Sequence, residues 1–215
     1  MHGFWQQLFA GKTVYRACTN LALANCPVSS GRILDIGGTR KILPSYRQYL
    51  RVGADSHIEV LNIDPASDPD HLADASQIPC DDNAFDTVWC INTIEHVMEP
   101  DRMLDEANRV LKAGGLFILN APFIYRIHRD PEDYLRLSDA GLFRAAQNHG
   151  FKVIDTYPVA VGVLQASFSQ LQMFLPRVFF IPCLSIVRFF DRIIMFFYPQ
   201  LQRSWTLGFL VVCTK

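Results

Sequence analysis

Two histidines occupy positions where acid–base chemistry is useful. His96 lies in Thr93-Ile94-Glu95-His96-Val97, directly after an apolar run, and His128 follows a second such run, Asn120-Ala121-Pro122-Phe123-Ile124-Tyr125-Arg126-Ile127-His128. Imidazole titrates near neutrality, so either ring is suited to take a proton from a hydroxyl, amine or carboxyl group. For His96 the competing reading is a structural ring that caps the following turn. His128 opens a denser cluster, His128-Arg129-Asp130-Pro131-Glu132-Asp133-Tyr134-Leu135-Arg136. A solvated charge run would look similar, but the interleaving of His, Tyr, Arg and Asp just past a strand favours a substrate lid. Tyr125, Arg126, Asp133, Tyr134 and Arg136 are then the candidate substrate contacts. Arg126, Arg129 and Arg136 would suit an anionic acceptor such as a carboxylate or phosphate. His2, His57, His71 and His149 fall in loops or chain ends and receive no role.

These side chains need a rigid frame, and the hydrophobic pattern supplies one. RILDIGG, HIEVLNID, FDTVWCIN and GLFILNAPF read as buried parallel strands separated by amphipathic stretches, FKVIDTYPVA as a sixth strand and TLGFLVVCTK as a seventh. That alternation predicts an α/β fold with a doubly wound, seven-stranded, mostly parallel sheet in a single domain spanning 1–215, with a helical segment at 1–30. Residues 100–111 carry Met103, Leu104, Ala107, Val110 and Leu111 on one face and reach a C-cap signal at Lys112-Ala113-Gly114-Gly115. Residues 138–149 begin with Ser138 as N-cap and end at Gly150.

A second constellation precedes the histidines. Strand Ile33-Leu34-Asp35-Ile36 runs into Gly37-Gly38-Thr39, where small side chains let a ligand approach the backbone. The next strand ends in Asp64, 27 residues after Gly37, where an acid can accept both hydroxyls of a ribose. Asp74-Ala75 follows, leading into Gln77-Ile78-Pro79-Cys80. In this ordered series, ending in Glu95-His96-Val97, the sequence resembles the class I S-adenosylmethionine-dependent methyltransferases of the small-molecule type over about 33–157, with a last strand at 207–214. The resemblance implies a Rossmann-like fold and S-adenosylmethionine as cofactor. It places Asp35, Gly37, Gly38 and Thr39 around the methionine part, Asp64 on the ribose, Asp74 and Ala75 at the adenine, and Asn92 near the amino acid portion and the transferred methyl. The loop departs from the family's usual Asp-x-Gly-x-Gly-x-Gly, because Thr39 and Lys41 stand at the second and third glycine positions. Arg40 and Lys41 would also suit a phosphate. A dinucleotide-dependent reductase shares the strand, turn and ribose acid, but would need G-x-G-x-x-G opening a long helix, which Pro44 interrupts. A methyltransferase-like binding or scaffold protein without catalysis is the alternative from another class.

Net charge is −1, with 20 basic and 21 acidic residues, which leaves no field to attract nucleic acid. The balance is uneven: residues 161–215 hold five basic side chains and one acidic. Most of that segment is a hydrophobic stretch at 162–205, where a compact α/β unit would have a short turn. Leu164, Phe168, Leu171 and Leu175 fall at helical spacing with Gln165, Ser169, Gln170 and Gln172 on other faces. A helix at about 184–197 confines Ser185, Arg188, Asp191 and Arg192 to a narrow polar stripe. The readings are an in-plane membrane anchor, a homodimer interface, a lid over an apolar substrate pocket, or an extension of the core. The sheet's own helices are expected to cover both faces already, which disfavours the last. An apolar face rimmed by arginines favours a membrane surface or a lipid-linked acceptor over dimerisation. Six cysteines lack a C-x-x-C pair, no histidine is spaced to complete a zinc site, and no metal is expected. With no secretory signal and no strongly apolar run of about 18 residues, a cytoplasmic location with peripheral membrane contact is expected.

Overall fold

The computed structural model describes residues 3–40 and 47–215. Lys41 and Pro44 lie outside the described residues, and with them the phosphate role of Lys41 and the helix interruption. Seven strands form one sheet: β1 (Arg32–Ile36), β2 (His57–Asn62), β3 (His71–Leu72), β4 (Phe85–Ile91), β5 (Leu111–Pro122), β6 (Lys152–Val161) and β7 (Thr206–Thr214). Their order is β3-β2-β1-β4-β5-β7-β6. β7 runs antiparallel to both β5 and β6, while the other pairings are parallel. The expected sheet is therefore present. In β4 only Asp86 escapes burial, the near-continuous pattern of a parallel strand covered on both faces. After β1 the chain winds outward through β2 and β3, and after β4 it winds the other way. The β1/β4 junction is thus the switch point, and a crevice opens at the carboxyl ends of these two strands. β3 had no signal in the sequence because two residues cannot carry a periodicity.

Helices α1 (Phe4–Phe9), α2 (Val14–Leu23), α3 (Pro100–Val110), α4 (Asp139–Asn148), α5 (Val163–Ser169), α6 (Arg177–Phe197) and α7 (Leu201–Ser204) complete the described elements. One face of the sheet is covered by α3 and α4, whose Met103, Leu104, Ala107, Leu142 and Ala146 enter its core. Ser138 Oγ accepts from Gly141 N at 3.2 Å, as the N-cap reading requires. The C-cap expected at Lys112–Gly115 is corrected. α3 stops at Val110, Leu111 is already extended, and Gly114 sits at φ 75° within β5, where the pairing with β4 shifts register. Glycine there accommodates a bulge rather than a helix end.

The opposite face overturns a second expectation. Its core joins α1 and α2 (Leu8, Val14, Ala17, Leu23) to residues of the 162–205 stretch, namely Ala166, Phe180, Ile181 and Leu184. The stretch therefore covers part of the sheet and is no appendage to a finished core. α6 is also longer than the sequence implied, beginning at Arg177 and continuing through Pro182.

The orientation of this stretch is inverted relative to an ordinary surface helix. Several of its polar residues point inward. Asp191, buried, accepts from Leu164 N at 2.9 Å and Gln165 N at 2.6 Å, satisfying free amides at the start of α5. Arg188 donates to the buried Gln165 Oε1 at 2.5 Å and lies 4.1 Å over the Phe4 ring. Gln172 bonds Val14 N and Lys12 O, and Gln170 bonds Ile124 O. Outward go Val178, Phe179, Ile186, Phe189, Phe196 and Phe197, Phe196 being 80% exposed. Leu164 and Leu171, half of the predicted apolar stripe, are exposed as well.

Candidate active site at the carboxyl edge of the sheet

The glycine turn after β1 is shaped by what lies above it. Gly37 has φ 77°, and a Cβ there would come within 2.4 Å of Thr93 Oγ1. Thr93 is held down by bonds to Ile36 O and Ile91 O. A Cβ on Gly38 would meet Asp35 Oδ2, also at 2.4 Å. The two glycines thus let the turn pass beneath Thr93 and across Asp35, leaving Gly37 exposed. Asp35 itself is fully buried and accepts from Arg47 Nε at 3.0 Å and Nη2 at 2.7 Å. Thr39 Oγ1 donates to Ser67 O at 3.3 Å. Arg40 is paired with Asp70 through Nε and Nη2, and Nη2 also bonds Ile58 O, so its side chain braces the loop after β2. That corrects the expectation that Arg40 is available to a phosphate.

Asp64 and Asp74 are both exposed carboxylates on tight turns. Asp64 Oδ1 accepts from Ala66 N and Asp74 Oδ1 from Ser76 N, at 2.9 and 2.8 Å. Each turn uses one oxygen and presents the carboxylate to solvent at the sheet edge. Ala75 is buried beside them.

Beyond β4, Asn92 sits at φ 53° and its amide N–H donates to Asn120 O at 2.9 Å. Its Oδ1 accepts from the Tyr15 hydroxyl at 2.5 Å, while Nδ2 is buried without a hydrogen-bond partner among the described residues. Tyr15 comes from α2, and no motif marked it in the sequence; its position on the inward face of an amphipathic N-terminal helix was the only signal. Burial, reinforced by Glu95, raises its pKa so far that it stays a phenol donor. Tyr15 also lines a cleft of about 230 Å³, together with Thr13, Tyr125, Arg126, Gln170 and Arg177. The 162–205 stretch therefore supplies one wall of the cleft.

Aromatic contacts connect this cleft to the histidines. The Tyr15 and Tyr125 rings are 5.2 Å apart, Tyr125 meets His128 edge-on at 5.2 Å, and His128 meets His96 edge-on at 4.9 Å. Beneath both imidazoles lies Glu95, fully buried. Burial first, only partly offset by His96 and Arg136, pushes its carboxyl up to about 7. Burial, with His96 adding to it, lowers the pKa of His128 and keeps that ring neutral at neutral pH.

The His128–Arg136 segment folds over this cluster. Tyr134 N donates to Glu95 O at 2.8 Å and His96 Nδ1 meets Glu132 O at 2.5 Å. Asp133 is almost completely enclosed and accepts from Arg136 and from His128 N; the Arg136 guanidinium beside it holds its carboxyl down to about 2. Asp133 and Arg136 therefore hold the lid in shape, which corrects the reading of Arg136 as an anion clamp. The Tyr134 side chain is half exposed, and Arg129 pairs with Glu132 on the surface. Of the five candidate substrate contacts, only Tyr125 and Arg126 line the cleft.

Residues 40–119 match the family model of a methyltransferase domain. A demethylmenaquinone methyltransferase of Clavibacter sepedonicus is 31% identical over 145 residues, 57% of this chain and 54% of that protein. Over these residues the chain is similar to S-adenosylmethionine-dependent methyltransferases. A sarcosine/dimethylglycine N-methyltransferase of Halorhodospira halochloris is 40% identical over 58 residues, 25% of this chain and 21% of that one. The chain thus spans between a fifth and about half of the length of these curated relatives. Among solved structures, an S-adenosylmethionine-dependent methyltransferase from Mesorhizobium loti superposes with TM-score 0.56 at 15% identity, covering 96% of this chain and 99% of that one. The [4+2]-cyclase SpnF does so with TM-score 0.56 at 19% identity, covering 98% and 82%. At such identities the likeness establishes the methyltransferase fold alone, and a cyclase on that fold shows that chemistry lives in the site. Helix α2 with Tyr15, the His128–Arg136 lid and the 162–205 stretch all lie outside the family match.

Proposed function

We propose that the protein transfers a methyl group from S-adenosylmethionine to a small or lipid-linked acceptor at a membrane surface. The observation that carries the reading is the convergence at the β1/β4 switch point. A glycine turn there passes under Thr93, two exposed carboxylates stand at the edge, and Asn92, its buried amide donor unpartnered among the described residues, accepts from the hydroxyl of the cleft-lining Tyr15. These residues fit the cofactor. Gly37 and Gly38 would lie along its methionine part with Thr39, Asp64 would accept the ribose hydroxyls through its outer oxygen, Asp74 and Ala75 would border the adenine, and Asn92 Nδ2 would donate to the amino acid carboxylate. Asp35 would act through Arg47, since its own carboxylate is enclosed. The sulfonium supplies an activated methyl with a good leaving group, so the protein's share is to hold an acceptor in line and take its proton. Neutral His128, with Tyr125 beside it, is the base nearest the cleft; His96 lies one ring further in.

The wall of the cleft supports the acceptor class. Gln170, Gln172, Met173 and Arg177 of the wall belong to the same stretch whose outward face is a row of Phe and Ile side chains. An apolar tail emerging from the cleft would meet that row directly, and a lipid surface would receive both. Arg192 and Arg203, exposed at its margins, match anionic headgroups. No described helix is long and apolar enough to cross a membrane, and the reading is of peripheral contact, on the cytoplasmic side.

Calorimetric titration with S-adenosylmethionine and S-adenosylhomocysteine is the primary test. Binding of one equivalent of each, weakened at least tenfold by Asn92→Leu, is expected. Absence of heat for both would leave a methyltransferase-like binding protein without catalysis. For acceptors, labelled methyl transfer into a lipid extract is expected to exceed transfer into its aqueous counterpart.

A further inference from the structure

Glu95, His96 and His128 bring three ligand atoms together with nothing to neutralise them. His96 Nε2 lies 3.8 Å from Glu95 Oε1, His128 Nε2 lies 4.0 Å from the same oxygen, and all three donors fall within 4.8 Å of one another. The tautomers can be read from the outer nitrogens. His96 Nδ1 faces the carbonyl of Glu132 at 2.5 Å. His128 Nδ1 faces Asp133 Oδ2 at 3.3 Å and Arg126 O at 3.4 Å. These partners only accept, so in each neutral ring Nδ1 carries the proton and Nε2 turns a lone pair toward Glu95. Glu95 is fully buried, and neither of its oxygens accepts a hydrogen bond from another described residue. Two lone pairs and a buried carboxyl group without a hydrogen-bond partner among the described residues converge on one point, a donor set that a positive centre would satisfy.

We propose that this cluster is a binding site for a divalent transition-metal ion, with Glu95, His96 and His128 as its protein ligands. Two imidazoles and one carboxylate are the donor set of open zinc sites, and they favour a first-row transition ion over magnesium or calcium. Metal–ligand bonds of about 2.0–2.2 Å put neighbouring donors about 3.0–3.6 Å apart, so movements of about 1 Å or less would close the three onto one ion. The outer-nitrogen contacts to Glu132 O and Asp133 are the kind that fix ligating histidines in tautomer and orientation. Asp133 is itself held by Arg136, so the lid's internal ion pair acts as a positioning device for the site. The absence of a cysteine or histidine pair in sequence hid the cluster, because 32 residues separate His96 from His128 and the third ligand is a glutamate. His128 is 28% exposed in its side chain and packs against Tyr125 of the cleft wall, so the open positions of the ion are reached from that side. There it would hold a carboxylate oxygen, or hold and acidify an acceptor hydroxyl, and with the ion bound it would replace the His128 ring, whose lone pair it occupies, in lowering the barrier to proton loss. That use, though not the binding itself, rests on the methyl-transfer reading.

The test uses the full-length, tag-free protein stripped by chelator dialysis and titrated with Co²⁺ and then Zn²⁺, without cofactor. One equivalent of Co²⁺ is expected, giving visible d–d absorption without the near-ultraviolet thiolate band and displaced by Zn²⁺. Glu95→Gln and His128→Asn are each expected to weaken binding at least tenfold. His128→Asn alters a partly exposed side chain, and near-ultraviolet circular dichroism and Tm report whether it folds. The proposal is overturned if the wild type takes up no Co²⁺, if a folded His128→Asn protein binds it as the wild type does, or if a thiolate band shows that a cysteine holds the ion. Metal binding alongside a flat S-adenosylmethionine titration would keep the site and remove its catalytic use.

Discussion

At the scale of single residues, the positions that matter most are those whose neighbours forbid anything else. Gly37 combines a left-handed backbone with a Cβ position 2.4 Å from Thr93 Oγ1. An alanine there would pay about 1–2 kcal/mol for the backbone alone and would also have to lift Thr93 from its two carbonyl acceptors. Gly37→Ala is therefore expected to destabilise the fold by about 2–3 kcal/mol in urea unfolding and to weaken S-adenosylmethionine binding in calorimetry. A variant of wild-type stability would show that the turn relaxes freely. Tyr15→Phe probes the other side of the same crevice. Losing the donor to Asn92 leaves a buried acceptor unpaired, so about 1–2 kcal/mol of stability should go, and cofactor affinity should drop about tenfold. Unchanged affinity in calorimetry would mean that Asn92 keeps its orientation without the hydroxyl. Gly37 was legible in the sequence because strand, glycine and distant acid form a spaced series. Tyr15 was not, because an aromatic residue on an amphipathic helix has no signature until the sheet it meets is known. Arg47 was hidden for a similar reason: its partner Asp35 looked like a ligand contact, and only the fold shows the carboxylate enclosed.

At the scale of elements, periodicity revealed where helices lie better than which way they face. The polar stripe Arg188–Asp191 was legible, and solvent was its natural destination. The structure turns it inward because α5 begins with amides that need an acceptor and Asp191 supplies one. Asp191→Ala would orphan two N–H groups, that of Gln165 buried and that of Leu164 partly so, and loosen α6 from the body. A loss of about 2–4 kcal/mol is expected, read as a lowered urea midpoint and as faster proteolysis within 162–205. A normal midpoint would show that the amides find other acceptors. A second element contact predicts a pH effect. His149, at the end of α4, reaches Asp105 at 2.6 Å and Asp101 at 3.2 Å on α3. Burial opposes its charge, but the two carboxylates outweigh that and raise its pKa above the ordinary 6.5. The folded state thus binds the proton more tightly than the unfolded chain does. The contribution is fully present below pH 6.5 and disappears as pH rises through the folded value. Because Asp101 and Asp105 are largely exposed, it should stay at about 0.5 kcal/mol. His149→Gln is expected to cancel that part of the fall in stability between pH 6 and 8, measured by parallel urea melts. Identical pH slopes for variant and wild type would remove the α3–α4 tether.

At the scale of the whole molecule, the charge asymmetry of the chain becomes an asymmetry of surface. The acidic part builds the first six strands, α1 to α4 and the carboxylates of the crevice. The basic, Phe-rich part forms one cleft wall with its inner side and leaves its outer side bare. A helix that buries Asp191 and turns Arg188 to Gln165 while exposing Phe179, Phe189, Phe196 and Phe197 uses these two polar groups for docking, and so is not explained by solvent-facing stability. If the bare face enters a bilayer, each half-exposed phenylalanine should contribute about 1 kcal/mol of transfer free energy. Replacing Phe189, Phe196 and Phe197 together by Ser would then cut partition to vesicles about a hundredfold. It should leave Tm unchanged, because none of the three belongs to the sheet's core. Anionic vesicles should bind the wild type more strongly than neutral ones, and salt should erase the difference while the apolar part persists. Co-sedimentation with phosphatidylglycerol and phosphatidylcholine vesicles at low and high salt measures both components. A wild type that stays in the supernatant throughout and runs as a dimer in sizing, converted to monomer by the same three substitutions, would assign the face to a second copy of the chain. In either case S-adenosylmethionine affinity should be indifferent to the substitutions, because the crevice lies on the far side of the helices that carry them.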